Sequence, residues 1–232
     1  DAPADLLGWK FTNGIDFEFP AMTLGAGEYL VVAADPNVFN TNYPTVTNYV
    51  GGAGWTGHLS NSGEKIELQD ALGVVVDQVS YADEGDWAVR EWVADSGSFG
   101  YSWSGLHDGG GHTLELINPA MTNNVGQNWS ASLAPDGTPG AVNSVFSNDI
   151  APLIRDVEHY PIIPTASDDV TVIVKVQDEL TTGLTVVLHY RDDGDPVFNT
   201  VEMFDDGLHD DENPGDGIYT GQMPARPDGT IV

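Results

Sequence analysis

LSNSGEKIELQDALGVVVDQVSY, residues 59–81, decides the fold class. Ile66 and Leu68 alternate with Glu67 and Gln69, and Val74 and Val76 alternate with Val75 and Asp77. A short turn joins the two runs, and Asn61, Ser62 and Gly63 form a polar turn in front of them. A period of two between turn residues marks half-buried antiparallel strands. The expected fold is therefore all-β.

The same signals extend outward. Strands are expected at 7–12, 17–19, 28–33, 64–69, 74–80, 113–116 and 129–132. One helix is expected at 36–42, because Asp35 suits an N-cap and Pro36 the first helical position. Further on, Val170, Val172, Val174 and Val176 face one way while Thr171, Lys175 and Gln177 face the other. Leu184, Val186, Leu188 and Tyr190 repeat the pattern. Several short strands at this spacing suggest a β-sandwich.

With 232 residues, 41% of them apolar, the chain can fill two ordinary cores. The join is expected in GTPGAVNSVFSNDIAP, residues 137–152, with a linker near Ser147. That gives domains at 1–147 and 148–232. All six Trp lie in the first.

The chain carries 36 acids against 7 bases, a net charge of −29. Phosphate binding needs clustered Lys and Arg, so bare nucleic acid and anionic membrane surfaces are poor partners. Such a surface favours solubility and cation binding. There is no Cys, which excludes disulfides, thiolate metal sites and a Cys nucleophile. No apolar run approaches the ~20 residues of a membrane span, so membrane insertion is not expected. The chain opens on DAPADLLGW without a signal-peptide pattern, as a mature piece or fragment would.

Several segments in order carry a resemblance: DLLGW (5–9), FEFPAMTLGAGEYLVVAADPNVF (17–39), GHLSNSGEKIELQDALGVVVDQVSYAD (57–83), DGGGHTLELINP (108–119), NWSAS (128–132) and GTPGAVNS (137–144). On these, the first domain resembles a lamin tail domain of the bacterial secreted type. The resemblance implies an immunoglobulin-like sandwich, a non-enzymatic role, and an extracellular or cell-surface location. The family's usual opening strands, of the hydrophobic-Asn-Glu-Ile and Trp-Ile-Glu-Leu types, are not present, so the first strands are expected to be missing and an edge left unpaired. The second domain resembles an immunoglobulin-like or fibronectin-III-like module of bacterial surface proteins, through VTVIVKVQD (170–178), VVLHYRDDG (186–194) and MFDDGLHDDENPGDGIYTGQMPA (203–225). It ends on GTIV, so its last strands are expected to be missing too. In related chains this pair often precedes a kinase-like domain of the spore-coat-H type, and the implied partner is a neighbouring domain of a larger chain, or a surface polymer or protein.

Three groups of residues are candidates for chemistry. The loop 205–216 holds Asp205, Asp206, Asp210, Asp211, Glu212 and Asp216. Carboxylates this dense repel unless solvent, salt or a cation offsets them. Asp205, Asp206, Asp210 and Asp216 are the expected calcium ligands, since Ca²⁺ accepts irregular loops of six to eight oxygens at ~2.3–2.6 Å. It is no EF-hand: counting from Asp206, the sixth position is Asp211 and the twelfth Gly217. Plain Asp-Gly turns are the competing account. The second candidate is a long loop, 83–112, carrying Trp87, Trp92, Phe99, Tyr101 and Trp103. Trp87, Trp92, Tyr101 and Trp103 suggest a carbohydrate-binding alternative by stacking on sugar rings; core packing is the competing account. Third, His107 and His112 flank Asp108 at a metal-compatible spacing, but a Gly-rich turn into the strand at 113–116 explains the same residues with less. The nucleophile elbow, the phosphate loop and His-Glu-x-x-His are all missing from the sequence. The expectation is a structural or binding region rather than an enzyme.

Overall fold

The computed structural model describes residues 2–95, 98–180, 182–211 and 213–232, with the backbone alone for strand residues 89–95 and 98–104. The chain divides into two compact units, Asp1–Asn148 and Asp149–Val232. Both are built of antiparallel β-strands.

The first unit contains β1 (Ala4–Asp5), β2 (Lys10–Asn13), β3 (Ile15–Glu18), β4 (Thr23–Leu24), helix α1 (Pro36–Asn42), β5 (Thr56–Gly57), β6 (Gly63–Gln69), β7 (Val75–Ala82), β8 (Val89–Asp95), β9 (Ser98–Ser104), β10 (Leu114–Leu116) and β11 (Trp129–Ala131). Its main sheet has the order β5-β3-β2-β6-β7. The opening motif forms the β6–β7 hairpin, with Ile66 opposite Val79 and Leu68 opposite Asp77. Asp70 closes it. Its N–H donates to Val74 O (2.9 Å), and its Oδ1 accepts from the N–H groups of Leu72 (2.9 Å) and Val74 (2.8 Å). Leu6, Phe19 and Val50 centre the core, and Trp9, Phe11, Phe17 and Leu68 pack on them. Phe17 meets Phe19 edge-on at 5.1 Å. Asp35 caps α1 as expected, its Oδ1 accepting from Asn37 N (2.8 Å) and Val38 N (3.2 Å).

Three local expectations give way. The expected strand at 28–33 reduces to an isolated parallel bridge between Val31 and Tyr49. Asn48 competes there, donating from Nδ2 to Tyr29 O (2.9 Å) and Gly140 O (2.7 Å). The expected long loop 83–112 contains a hairpin, β8 with β9, with Trp92 opposite Tyr101 and Arg90 opposite Trp103. The alternation at Phe99, Tyr101 and Trp103 is that of a strand. Finally, alternation located β6 and β7 without ranking their faces. Glu67 is buried, while Val75 and Val76 remain 45% and 48% exposed because β7 is an edge strand.

The second unit contains β12 (Leu153–Tyr160), β13 (Val170–Gln177), β14 (Val186–Tyr190), β15 (Asn199–Met203) and β16 (Ile218–Met223). They form two sheets, β12-β13-β16 and β14-β15. One cluster joins their apolar faces: Val172, Val174 and Val176 from β13, Val186 and Leu188 from β14, Met203 from β15 and Tyr219 from β16. The alternating valines therefore form the seam between the sheets. Among the described residues, no helix is long and apolar enough to cross a membrane.

Leu153 on β12 has no exposed surface. Leu153→Ala is expected to destabilise the second unit by about 2–5 kcal/mol, through lost transfer energy and the cavity left behind. Urea unfolding followed by circular dichroism checks this: the midpoint of one transition should fall with its slope unchanged.

Candidate metal centre

Asp205 lies two residues past β15 and Asp216 two residues before β16, so the acidic loop spans the passage from one sheet to the other. Asp205 is half-buried and collects backbone donors. Its Oδ1 accepts from Gly215 N (2.6 Å) and Asp216 N (3.2 Å), and its Oδ2 from Gly217 N (3.0 Å). Three consecutive N–H groups turned toward one anion make a backbone nest. The turn needs glycine at its last position: Gly217 has φ 83°, and a Cβ there would lie 2.8 Å from Val176 O.

Two residues with left-handed backbone, His209 (φ 56°) and Asp210 (φ 67°), then reverse the chain. The fully buried Thr220 fixes this reversal, its Oγ1 donating to His209 O at 2.6 Å. The reversal carries Asp211 inward to 6% exposure. Asp211 Oδ2 accepts from Gly207 N (2.7 Å), while Oδ1 is buried with no hydrogen-bond partner. Asp216 is exposed and its Oδ1 accepts from Ile218 N (3.0 Å). One carboxylate oxygen from each of Asp205, Asp211 and Asp216 lies within 4.8 Å of the others.

Of the four expected ligands, Asp205 and Asp216 belong to this group. Asp206 and Asp210 do not. Asp206 accepts from Leu208 N (2.9 Å) and pairs with His209 Nδ1 (3.2 Å). Burial works against its ionised form, but these contacts outweigh it and hold its carboxyl below the usual range. Asp210 faces Thr171 Oγ1 at 3.4 Å. Asp211 completes the group instead, and no periodic pattern marks it in the sequence. Its inward turn depends on two left-handed residues that are not glycine.

Trp87 is half-buried and packs on Trp129, ring centroids 5.8 Å apart. The side chains of Trp92, Tyr101 and Trp103 lie outside the described residues. His112 donates from Nδ1 to Ser132 O at 2.6 Å, an internal tie between β10 and β11 neighbours.

A second buried carboxylate needs no cation. Glu115 on β10 is 4% exposed. Its Oε1 accepts from Thr138 N (3.1 Å) and Oγ1 (2.7 Å), and its Oε2 from Ser144 N (2.7 Å) and Oγ (2.7 Å). Burial opposes the charge, but the Thr138 and Ser144 donors prevail and hold the carboxyl below the ordinary glutamate range. Tyr81 moves the other way. Burial first, then the nearby Glu64 carboxylate, pushes its hydroxyl up to about 12.

Comparison of the chain with protein-family models, with curated proteins and with solved structures gave no match.

Because the folded-state pKa of Glu115 is depressed, its contribution is present above the unfolded value of 4.5 and lost as pH falls through the folded value. Glu115→Gln replaces two acceptors by one and turns an amide donor toward donors. It is expected to cost about 2–4 kcal/mol at neutral pH. Melts of both proteins should converge on acidification below that unfolded value; an unchanged difference would exclude an ionised Glu115 as the cause.

Proposed function

We propose that the chain is a non-catalytic structural region of a secreted or cell-surface bacterial protein. In this reading a lamin-tail-type immunoglobulin-like sandwich precedes a second immunoglobulin-like sandwich. Together they space or anchor a neighbouring domain, or hold a surface polymer or protein. The antiparallel β architecture is compatible with two such modules, and the ordered segments from Asp5 to Ser144 support the family reading.

The observation that carries the proposal is how the chain uses Glu115, the most buried acid described in the first unit. An acid–base catalyst needs a carboxyl or imidazole open to substrate, with a pKa tuned near the working pH. Glu115 is the reverse: shielded, pushed toward permanent ionisation, and filled with loop donors. It pins the segment holding Thr138 and Ser144 to β10. A group so engaged gives rigidity, which is the property a spacer requires.

The test combines stability with turnover. The intact chain is expected to unfold cooperatively and to leave glycosides, esters and phosphate esters unchanged at long incubation. Turnover above buffer that one carboxylate-to-amide substitution abolishes would replace this reading by an enzymatic one.

A further inference from the structure

We propose that Asp205, Asp211 and Asp216 hold a divalent cation, calcium by the character of the donors, which clamps the end of β15 to the start of β16. The proposal deepens the structural reading and rests on it only for what the clamp is for.

Two independent observations meet here. The first is the convergence of three carboxylates, an oxygen of each within 4.8 Å of the others. Two oxygens bound to one Ca²⁺ at ~2.4 Å are separated by at most about 4.8 Å, so this spacing suits a shared ion. The second is Asp211 itself. It is 6% exposed, and one of its oxygens is buried with no donor. A buried polar atom without a partner is uncommon in folded proteins and calls for an explanation. An anionic one calls for positive charge.

Among the described residues, no ion pair supplies that charge. No Lys or Arg occurs between Arg191 and Arg226. Lys175 stands opposite Ile218 in the β13–β16 ladder, and no ion pair links it to the three acids. The imidazole of His209 contacts Asp206 and stacks on Phe204 at 4.6 Å. The positive charge therefore comes from solution.

The donor set selects the ion. It holds oxygen only, with neither sulfur nor imidazole, which favours the hard cations. Magnesium demands near-ideal octahedral geometry at ~2.0–2.1 Å and parts reluctantly with water. One buried, one half-buried and one exposed carboxylate on an irregular loop fit the looser coordination of calcium, with water completing the shell on the Asp216 side.

The position gives the ion its effect. Asp205 continues from the sheet β14-β15, and Asp216 leads into the sheet β12-β13-β16. Phe204 and Thr220 already exchange backbone hydrogen bonds of 2.9 Å at this crossing. An ion beside them adds a second tie between the sheets. It binds the folded loop and not the unfolded chain, so it raises stability by mass action.

Calcium is titrated into the EDTA-stripped chain by calorimetry, and melts are recorded with calcium and with EDTA. The expected result is saturable binding and a rise in melting temperature of several degrees, reversed by EDTA. Asp211→Asn and Asp216→Asn should each weaken binding by about tenfold or more. Asp206→Asn, outside the group, should leave affinity within about twofold. Should Asp211→Asn fail to fold, the exposed Asp216→Asn carries the test alone. Absence of both heat and melt shift at millimolar calcium overturns the site, as does binding that Asp216→Asn leaves intact. Either result leaves the structural reading standing, whereas turnover by the chain would overturn that reading and not the site.

Discussion

A carboxylate leaves water only if something donates to it. With 36 acids and 7 bases, this chain cannot give most of its acids a base to pair with. The donors are instead the N–H and O–H groups of its loops. Asp35 starts a helix this way, Asp70 closes a hairpin, Asp205 gathers a nest, and Glu115 takes up both Thr138 and Ser144. Asp168 binds both the N–H and the hydroxyl of Thr165 at 2.8 Å, and its carboxyl is held below the usual range. Donors fixed in the backbone lose little entropy on pairing, unlike the two long side chains of a surface ion pair. Negative charge thus becomes a means of fixing loop shape. The bases are few and also serve as packing: Arg191 sits 4.6 Å over the Phe198 ring and Arg226 5.1 Å over Tyr190.

This explains what the sequence conveyed and what it withheld. Period-two alternation survives into the structure wherever a strand has a packed face. Val172, Val174 and Val176 fill one seam, and the β6–β7 hairpin forms where Ile66 and Leu68 announce it. The helix was legible because its signals are local: Asp35 caps and Pro36 opens it. What failed depends on surroundings that strand alternation does not encode. Glu67 reads as a solvent-facing acid, yet it is buried. Lys65 foremost, then Gln69, with Thr12 from β2, hold it ionised. Residues 28–33 read as a strand, but Val31 only bridges Tyr49, and Asn48 Nδ2 takes up Tyr29 O beside it. In the acidic loop, composition revealed the cluster but not its members. Asp206, Asp210 and Asp211 are the same residue type, and only the left-handed turn at 209–210 determines which one points inward.

Edges pose the same problem in another form. β7 borders the main sheet and presents half-exposed valines, the arrangement most prone to pairing with another chain. Two asparagines occupy part of that edge. Asn123 donates from Nδ2 to both oxygens of Asp77 (2.9 and 3.0 Å), and Asn124 Oδ1 accepts from Ser80 N (3.3 Å). A ladder donor that is already engaged, beside a charge held in place, is a weaker template for a new strand. Here too the device is a carboxylate with amide partners rather than an ion pair.

Glu115 and Asp211 show where this strategy reaches its limit. Both are buried and both are held near a glycine-containing turn. Glu115 has at least two donors for each oxygen, enough to satisfy the anion where it stands. Asp211 has Gly207 for one oxygen and nothing for the other, with Asp205 and Asp216 close by. The consecutive N–H groups of Gly215, Asp216 and Gly217 already converge on Asp205. Backbone donors supply only partial charges, and three converging carboxylates exceed what they balance. The cation proposed there rests on the same rule that makes one unnecessary at Glu115: the count of donors each buried oxygen receives from its own chain.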